Sequence, residues 1–99
     1  MYARNLSIHL KPFCLRAFND KIEKEILPLL RKQDGFRSEL TFSDASGTKV
    51  TSISAWDTEA HANRYNASIY AKVLDILEPV LYRRPTMIAG VSNAYGPAV

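Results

Sequence analysis

The residues best suited to chemistry fall in the run SAWDTEAHANRYNASIY, where a lone tryptophan, Trp56, is followed by His61, Tyr65 and Tyr70. Aromatic walls carrying a few hydroxyls suit a flat, partly polar organic ligand. An imidazole near a helix N-terminus is held toward its neutral form, as a general base requires. Trp56, Tyr65 and Tyr70 are therefore candidates for the wall of a ligand pocket, together with Asn5, which begins a polar row with Ser7 and His9. His61, His9 and Tyr65 are the candidate catalytic groups. Tyr65 and Tyr70 stand about 140 degrees apart on a regular helix, so they share one wall only if the NAS segment between them bends.

Each candidate also has a packing role to set against the chemical one. A strand-end tryptophan before a helix cap packs as a hydrophobic staple, and buried tyrosines pack with the hydroxyl reaching water. No carboxylate stands at a spacing that would orient His61, which favours a surface histidine. The polar row of Asn5, Ser7 and His9 is equally suited to meeting a symmetry mate across a sheet face. The aromatic wall is thus clearer in the sequence than the base.

Several classes of function are disfavoured. A single cysteine, Cys14, rules out an intrachain disulfide and any CxxC motif. Two histidines 52 positions apart, with no HxH or HxxxH spacing, make no metal site on their own. No Gly-rich phosphate loop follows the first apolar segment, so neither a bound cofactor nor a metal is expected. The net charge is +3, but the basic residues alternate with acids, as in NDKIEKEILPLLRK, and form no stripe interleaved with aromatics. Nucleic acid is therefore not an expected partner. No apolar run approaches the roughly 18 residues that span a bilayer. The opening MYARNLSIHL alternates apolar and polar side chains instead of presenting a basic stretch and an apolar block, so a cytoplasmic location is expected.

The elements that must position these residues follow from periodicity. Leu6, Ile8 and Leu10 alternate with polar residues as in a half-buried strand. From Cys14 the period changes to that of an amphipathic helix through Leu15, Phe18, Ile22, Ile26 and Leu29. Pro28 lies inside that pattern and predicts a kink or a loosened last turn after about Lys24. Phe36 to Phe42 alternates again, with Phe36, Ser38, Leu40 and Phe42 on one side and Arg37, Glu39 and Thr41 on the other. SDASGT supplies a turn, and Lys49 to Trp56 reads as the antiparallel partner. Asp57 or Thr58 caps a second helix, and Thr86 to Tyr95 reads as a last strand with a bulge or close approach at Gly90.

The order β-α-β-β-α-β over one domain, residues 1–99, is the α+β, ferredoxin-like plan: a four-stranded antiparallel sheet with both helices on one face. Its other face should be polar in a monomer. Yet the third strand places Val50 and Trp56 on one side and Ile53 and Ala55 on the other, so a second sheet is expected to cover the open face. A homodimer through sheet faces follows.

In LSIHLKP, in DGFRSEL after the first helix, in the strand ending at Trp56 and in the EA and NAS of the second helix, nearly the whole chain resembles the antibiotic-biosynthesis-monooxygenase-like (ABM) proteins of the dimeric α/β-barrel superfamily. Trp56, Glu59 with Ala60, and Ser68 sit where that family's pattern puts a strand-end tryptophan, an acidic or small helix start and a serine-bearing break. The resemblance implies a dimeric α/β barrel and a cofactor-independent oxygenase acting on an aromatic or quinone-like small molecule, whose deprotonated ring itself reacts with oxygen. The departures matter as well. Many relatives carry histidines in the second helix where this chain has Tyr65 and Tyr70. The haem-degrading branch needs a histidine where Asp75 stands and a tryptophan where Tyr65 stands, with its strand asparagine read as Asn5 or, by apolar register, displaced by Arg4. Without that iron-ligating nitrogen, haem is not an expected ligand. The missing histidines favour a second reading, a non-catalytic dimeric module that binds a small molecule.

Overall fold

The computed structural model describes residues 1–92. Its elements run β1 (Tyr2–His9), α1 (Leu15–Lys21), a π-helical turn (Ile22–Ile26), α2 (Leu27–Leu30), β2 (Phe36–Ser43), β3 (Lys49–Trp56), α3 (Glu59–Ser68), α4 (Tyr70–Leu77), a 3₁₀ turn (Glu78–Val80) and β4 (Thr86–Ser92). The strands form one antiparallel sheet in the order β2-β3-β1-β4, the ferredoxin-like arrangement. The expected last strand is present as far as Ser92; its expected continuation to Tyr95 lies outside the described residues.

Alternation decides which side chains meet the helices. On β1 the helix side carries Tyr2, Arg4, Leu6 and Ile8, and on β3 it carries Val50, Ser52, Ser54 and Trp56, all buried except the half-buried Leu6. These pack against Phe18, Ile26 and Leu30 from the first helical segment and Tyr65, Val73 and Leu77 from the second. The opposite side of β3 carries Ile53 and Ala55, both only half-buried, as the two-sided pattern predicts. Leu40 pairs with Ile53 and Phe42 with Thr51 on that same open face. Leu40 and Phe42 are each 56% exposed.

Two irregularities differ from simple alternation. The β2–β3 register shifts between Phe36 and Ser38, so Arg37 is the extra residue of a bulge and Phe36 crosses to the helix side. Its ring stands edge-on to Trp56 with centroids 5.5 Å apart, rather than joining Leu40 and Phe42. Arg37 turns outward and its Nε donates to Asp57 Oδ1. In β4 the register shift falls between the partners of Asn5 and Leu6, Ala89 and Met87, so the bulged residue is Ile88 and not Gly90.

Pro28 has the predicted effect in a different form. It has no N–H to bond the carbonyl four residues back, and the chain widens ahead of it into the π turn, where the Leu27 N–H reaches Ile22 O. Both Ile22 and Ile26, at the ends of this turn, face the space between helices and sheet. The second helix begins at Thr58, whose Oγ1 accepts from the His61 backbone N–H at 3.2 Å. No helix among the described residues is long and apolar enough to cross a membrane.

Candidate functional site

A rung of polar side chains runs across the buried face of the sheet. Ser54 on β3 pairs with Arg4 on β1 and with Glu39 on β2. Two strand spacings of about 4.8 Å therefore separate the backbones of a cation and an acid on the same face. That face should be apolar under two helices, and around the rung it is: Leu6, Ile8, Ile22, Ile26, Val73 and Leu77 complete the walls of a cavity of about 40 Å³. Ser52, one pleat from Ser54, donates its hydroxyl to Glu39 Oε1 at 2.5 Å. Tyr65 and Tyr70 close the cavity from the helix side.

The helix break makes that closure possible. Ser68 Oγ donates to Arg64 O at 2.8 Å, and Ile69 leaves regular helical geometry with φ −109° between α3 and α4. A side-chain hydroxyl competing for a helix carbonyl bends the helix. The bend brings the two tyrosine rings, which a straight helix would point apart, to a centroid distance of 6.1 Å. The Arg4 guanidinium lies over both, 4.8 Å from the Tyr70 ring and 5.7 Å from the Tyr65 ring. Its Nη2 donates to Asn66 Oδ1 at 2.6 Å.

The protonation states differ sharply among these groups. Burial pushes the Glu39 carboxyl up from 4.5 to about 7, only partly offset by the Ser52 hydroxyl and the Arg4 charge. Burial also raises the Tyr65 phenol, against the opposing pull of Arg4, and raises Tyr70 in the same way. Near neutrality the cavity thus holds a guanidinium, a carboxyl divided between its protonated and ionised forms, and two phenols that keep their protons. That set can abstract a proton from a weak acid and return it.

The structure sorts the residues singled out by sequence into distinct places. Tyr65 and Tyr70 are on the cavity wall. Trp56 is fully buried behind it, stacked on Tyr65 at 5.0 Å with its Nε1 donating to Ser54 Oγ at 3.0 Å, so it supports the wall without lining it. Asn5, expected at the pocket, points to the open face of the sheet beside Ile53, because alternation from Arg4 sends it there. His9 is on that opposite side too, its ring 4.6 Å from Tyr82. His61 sits over Gly35 at the start of α3, with Nδ1 2.7 Å from Thr58 Oγ1, and borders a separate surface depression of about 140 Å³. Neither histidine reaches the cavity, so neither can be its base.

Arg4, Glu39, Ser52 and Asn66 are the residues that sequence reading did not single out for the site. One signal pointed to two of them: if Leu40 and Phe42 face outward, Glu39 must face the core, where Val50 and Trp56 also place Ser52. A wider surface groove of about 420 Å³, with Asp75, Glu78, Arg83 and Arg84 at its edges, lies open to solvent and gathers no buried polar group. Among the described residues no group of three His, Cys, Asp or Glu side chains is placed to hold a metal.

Comparison with solved structures places the chain in the ABM-like fold. It is similar to a monooxygenase from the gene ActVA-Orf6 of Streptomyces coelicolor, in complex with the ligand nanaomycin D, with TM-score 0.77, 17% identity and coverage of 98% of this chain and 92% of that one. A protein of unknown function from Nitrosomonas europaea superposes with TM-score 0.76 at 18% identity, over 99% of this chain and 93% of that one. An antibiotic biosynthesis monooxygenase superposes with TM-score 0.72 at 12% identity, over 95% of this chain and 99% of that one. No protein-family model and no curated protein matches the sequence. At these identities the likeness establishes the architecture, and the chemistry has to be argued from the cavity.

Proposed function

We propose that this protein is a cofactor-independent monooxygenase of small phenolic or quinol-like aromatics, acting as a homodimer in the reducing environment of the cytoplasm. The observation that carries this reading is the Glu39 carboxyl, half-buried, bonded by Ser52 and on the same cavity wall as Tyr65 and Tyr70, where it changes protonation near pH 7. Glu39 takes the proton of a substrate phenol. The phenolate gives electrons to dioxygen, and a C–O bond forms at a ring carbon that still carries hydrogen. The proton returns from Glu39 to the peroxide. Loss of water, with that ring hydrogen, breaks the O–O bond and leaves a second carbonyl. One oxygen atom enters the quinone and the other leaves as water, so the substrate supplies all four electrons.

The cavity at about 40 Å³ holds water-sized groups, whereas a void of about 150 Å³ is what a benzene ring fills. A ring therefore enters only when the α3–α4 segment moves outward about Ile69, where the chain leaves regular helical geometry with φ −109°. The small volume also favours the second reading, a dimeric module that binds a small molecule without turnover.

The homodimer rests on the open sheet face, where Leu40, Phe42 and Ile53 form an apolar stripe under no helix. A twofold axis would bury the stripe of both copies with one patch.

Oxygen uptake with a hydroquinone and anthrone panel tests the enzyme reading. The wild-type chain should consume one dioxygen per quinone formed, and Glu39→Gln should lower the rate by about a hundredfold, the scale of a lost general base. Thermal shifts without oxygen uptake would establish the binding module instead.

A further inference from the structure

Arg4 carries a positive charge that no carboxylate pairs with directly among the described residues. It is only 4% exposed, its Nε is sealed from solvent with no hydrogen-bond partner, and its Nη2 bonds a neutral amide, Asn66. Two aromatic faces hold the guanidinium in place without cancelling its charge. Among the described residues no carboxylate lies within ion-pair distance of it. The nearest acid on its rung, Glu39, spends its Oε1 on Ser52. A buried cation without an anion is costly, and this one borders a cavity sized for one or two water-sized groups.

We infer that Arg4 is an oxyanion-binding residue and that the cavity takes small aromatic acids, bound through a carboxylate or another ionised oxygen against the guanidinium. The inference rests on the cavity being the ligand site, and it names the substrate class within the proposed function. The planar fork of the guanidinium matches two carboxylate oxygens, and the existing void accepts the oxygens before the ring demands any opening. Neutral analogues leave the cation uncompensated. The polar groups of the cavity wall that face the bound anion are Arg4, Ser52 and Ser54 from the inner strands, Glu39 from β2, Tyr65 from α3 and Tyr70 from α4. Arg84, near enough to Tyr70 to influence its phenol, adds a second positive charge at that edge. Glu39 is the one member that titrates near neutrality, and its ionised form opposes the anion. Anion binding is therefore linked to proton uptake by Glu39: a phenol supplies that proton itself and leaves its oxyanion against Arg4, whereas a carboxylate ligand draws the proton from solvent and holds the base occupied, as an inhibitor would.

The test titrates benzoate, formate and the neutral analogue benzamide into the full chain, followed by amide chemical shifts and calorimetry at pH 6, 7 and 8. Benzoate and formate should shift the signals of Arg4, Ser54 and Tyr70, and benzamide should not. Benzoate affinity should fall about tenfold from pH 6 to pH 8 as Glu39 ionises across its pKa of about 7. Arg4→Gln should weaken benzoate at least tenfold. Should that variant fail to fold, Glu39→Gln carries the test: its benzoate affinity should be flat across the same pH range and equal to the tight wild-type value at pH 6. Benzamide binding as tightly as benzoate, unchanged affinity in Arg4→Gln, or a pH dependence that survives Glu39→Gln would overturn the inference. Anion binding without oxygen uptake would sink the oxygenase reading and leave this inference standing. Oxygen uptake from neutral hydroquinones without anion binding would do the reverse.

Discussion

Replacing Glu39 by glutamine should make the protein more stable, by an amount that depends on pH. The carboxyl is raised from 4.5 to about 7, chiefly by burial. At about 1.4 kcal/mol per pH unit between the two values, ionising it inside the fold costs about 3 kcal/mol. The group keeps some contact with water, so this is an upper figure. The sign follows from proton binding: the folded state holds the proton more tightly than the unfolded chain does. Its contribution is fully present below pH 4.5, is lost as pH rises from 4.5 to about 7, and stays lost above. Glutamine keeps the shape and an acceptor for the Ser52 hydroxyl but cannot ionise. Urea unfolding at fixed protein concentration, at pH 5, 6, 7 and 8, should give wild-type and variant curves that nearly meet at pH 5. By pH 8 they should separate by about 2 to 3 kcal/mol in favour of glutamine. The pKa of Asp44, held down chiefly by the Ser46 hydroxyl, does not interfere, since its contribution is lost only as pH falls below the ordinary carboxylate range. Two curves that stay parallel from pH 5 to 8 would refute the claim that this carboxyl is buried against its own charge.

Three further outcomes are expected. Light scattering at micromolar concentration should give about twice the mass of one chain, and Ile53→Asp should yield monomer or insoluble protein; a stable wild-type monomer at high concentration would show that the open face needs no cover. Gly35→Ala should destabilise by about 2 to 4 kcal/mol, because Gly35 has φ +80° and an added Cβ would lie 2.3 Å from His61 Cγ. In the His61→Ala background the clash is gone and only the backbone term of about 1 kcal/mol should remain, so equal costs in both backgrounds would count against the contact. Trp56→Ala should cost about 3 to 5 kcal/mol in urea unfolding, since the ring is fully buried among Phe36, Tyr65 and Ser54; a loss under 1 kcal/mol would mean the site collapses freely.

The architecture was legible because strands and helices announce themselves by period. Leu6, Ile8 and Leu10 alternate, Val73 and Leu77 recur at helical spacing, and the element order then leaves one sheet topology to consider. The two-sided character of β3 was equally plain, with Val50 and Trp56 inward and Ile53 outward. Bulges were not legible: nothing in FRSEL marks Arg37 as an extra residue, and that one insertion moves Phe36 from the Leu40 face to the Trp56 face. The same limit applies to Ile88, since bulge position depends on which residue of the partner strand lacks an opposite. The NAS bend was foreseeable, yet its consequence needed three dimensions, because Ser68 and Ile69 only matter through the two rings they bring together.

The candidate base was missed for a more general reason. Sequence reading looked for an acid or base by residue type, and histidine is the type whose ordinary pKa already lies near neutrality. Glu39 acquires that property only from its place: one pleat from Leu40, on a rung with Ser54 and Arg4, under two tyrosines. No residue near Glu39 in sequence makes it buried or gives it a partner, since Ser52 is 13 positions away and Arg4 lies on a different strand. What the sequence does contain is a contradiction: two serines at alternate positions between Val50 and Trp56, on a face that packing would fill with aliphatic side chains. Buried serines need partners, and their strand neighbours are the only residues that register can offer. Following Ser52 and Ser54 sideways to the inward positions of β1 and β2 leads to Arg4 and Glu39 without any appeal to histidine. The polar rung breaks the apolar pattern of a core face at the same place where the chain breaks its second helix, and both breaks border the cavity between helices and sheet.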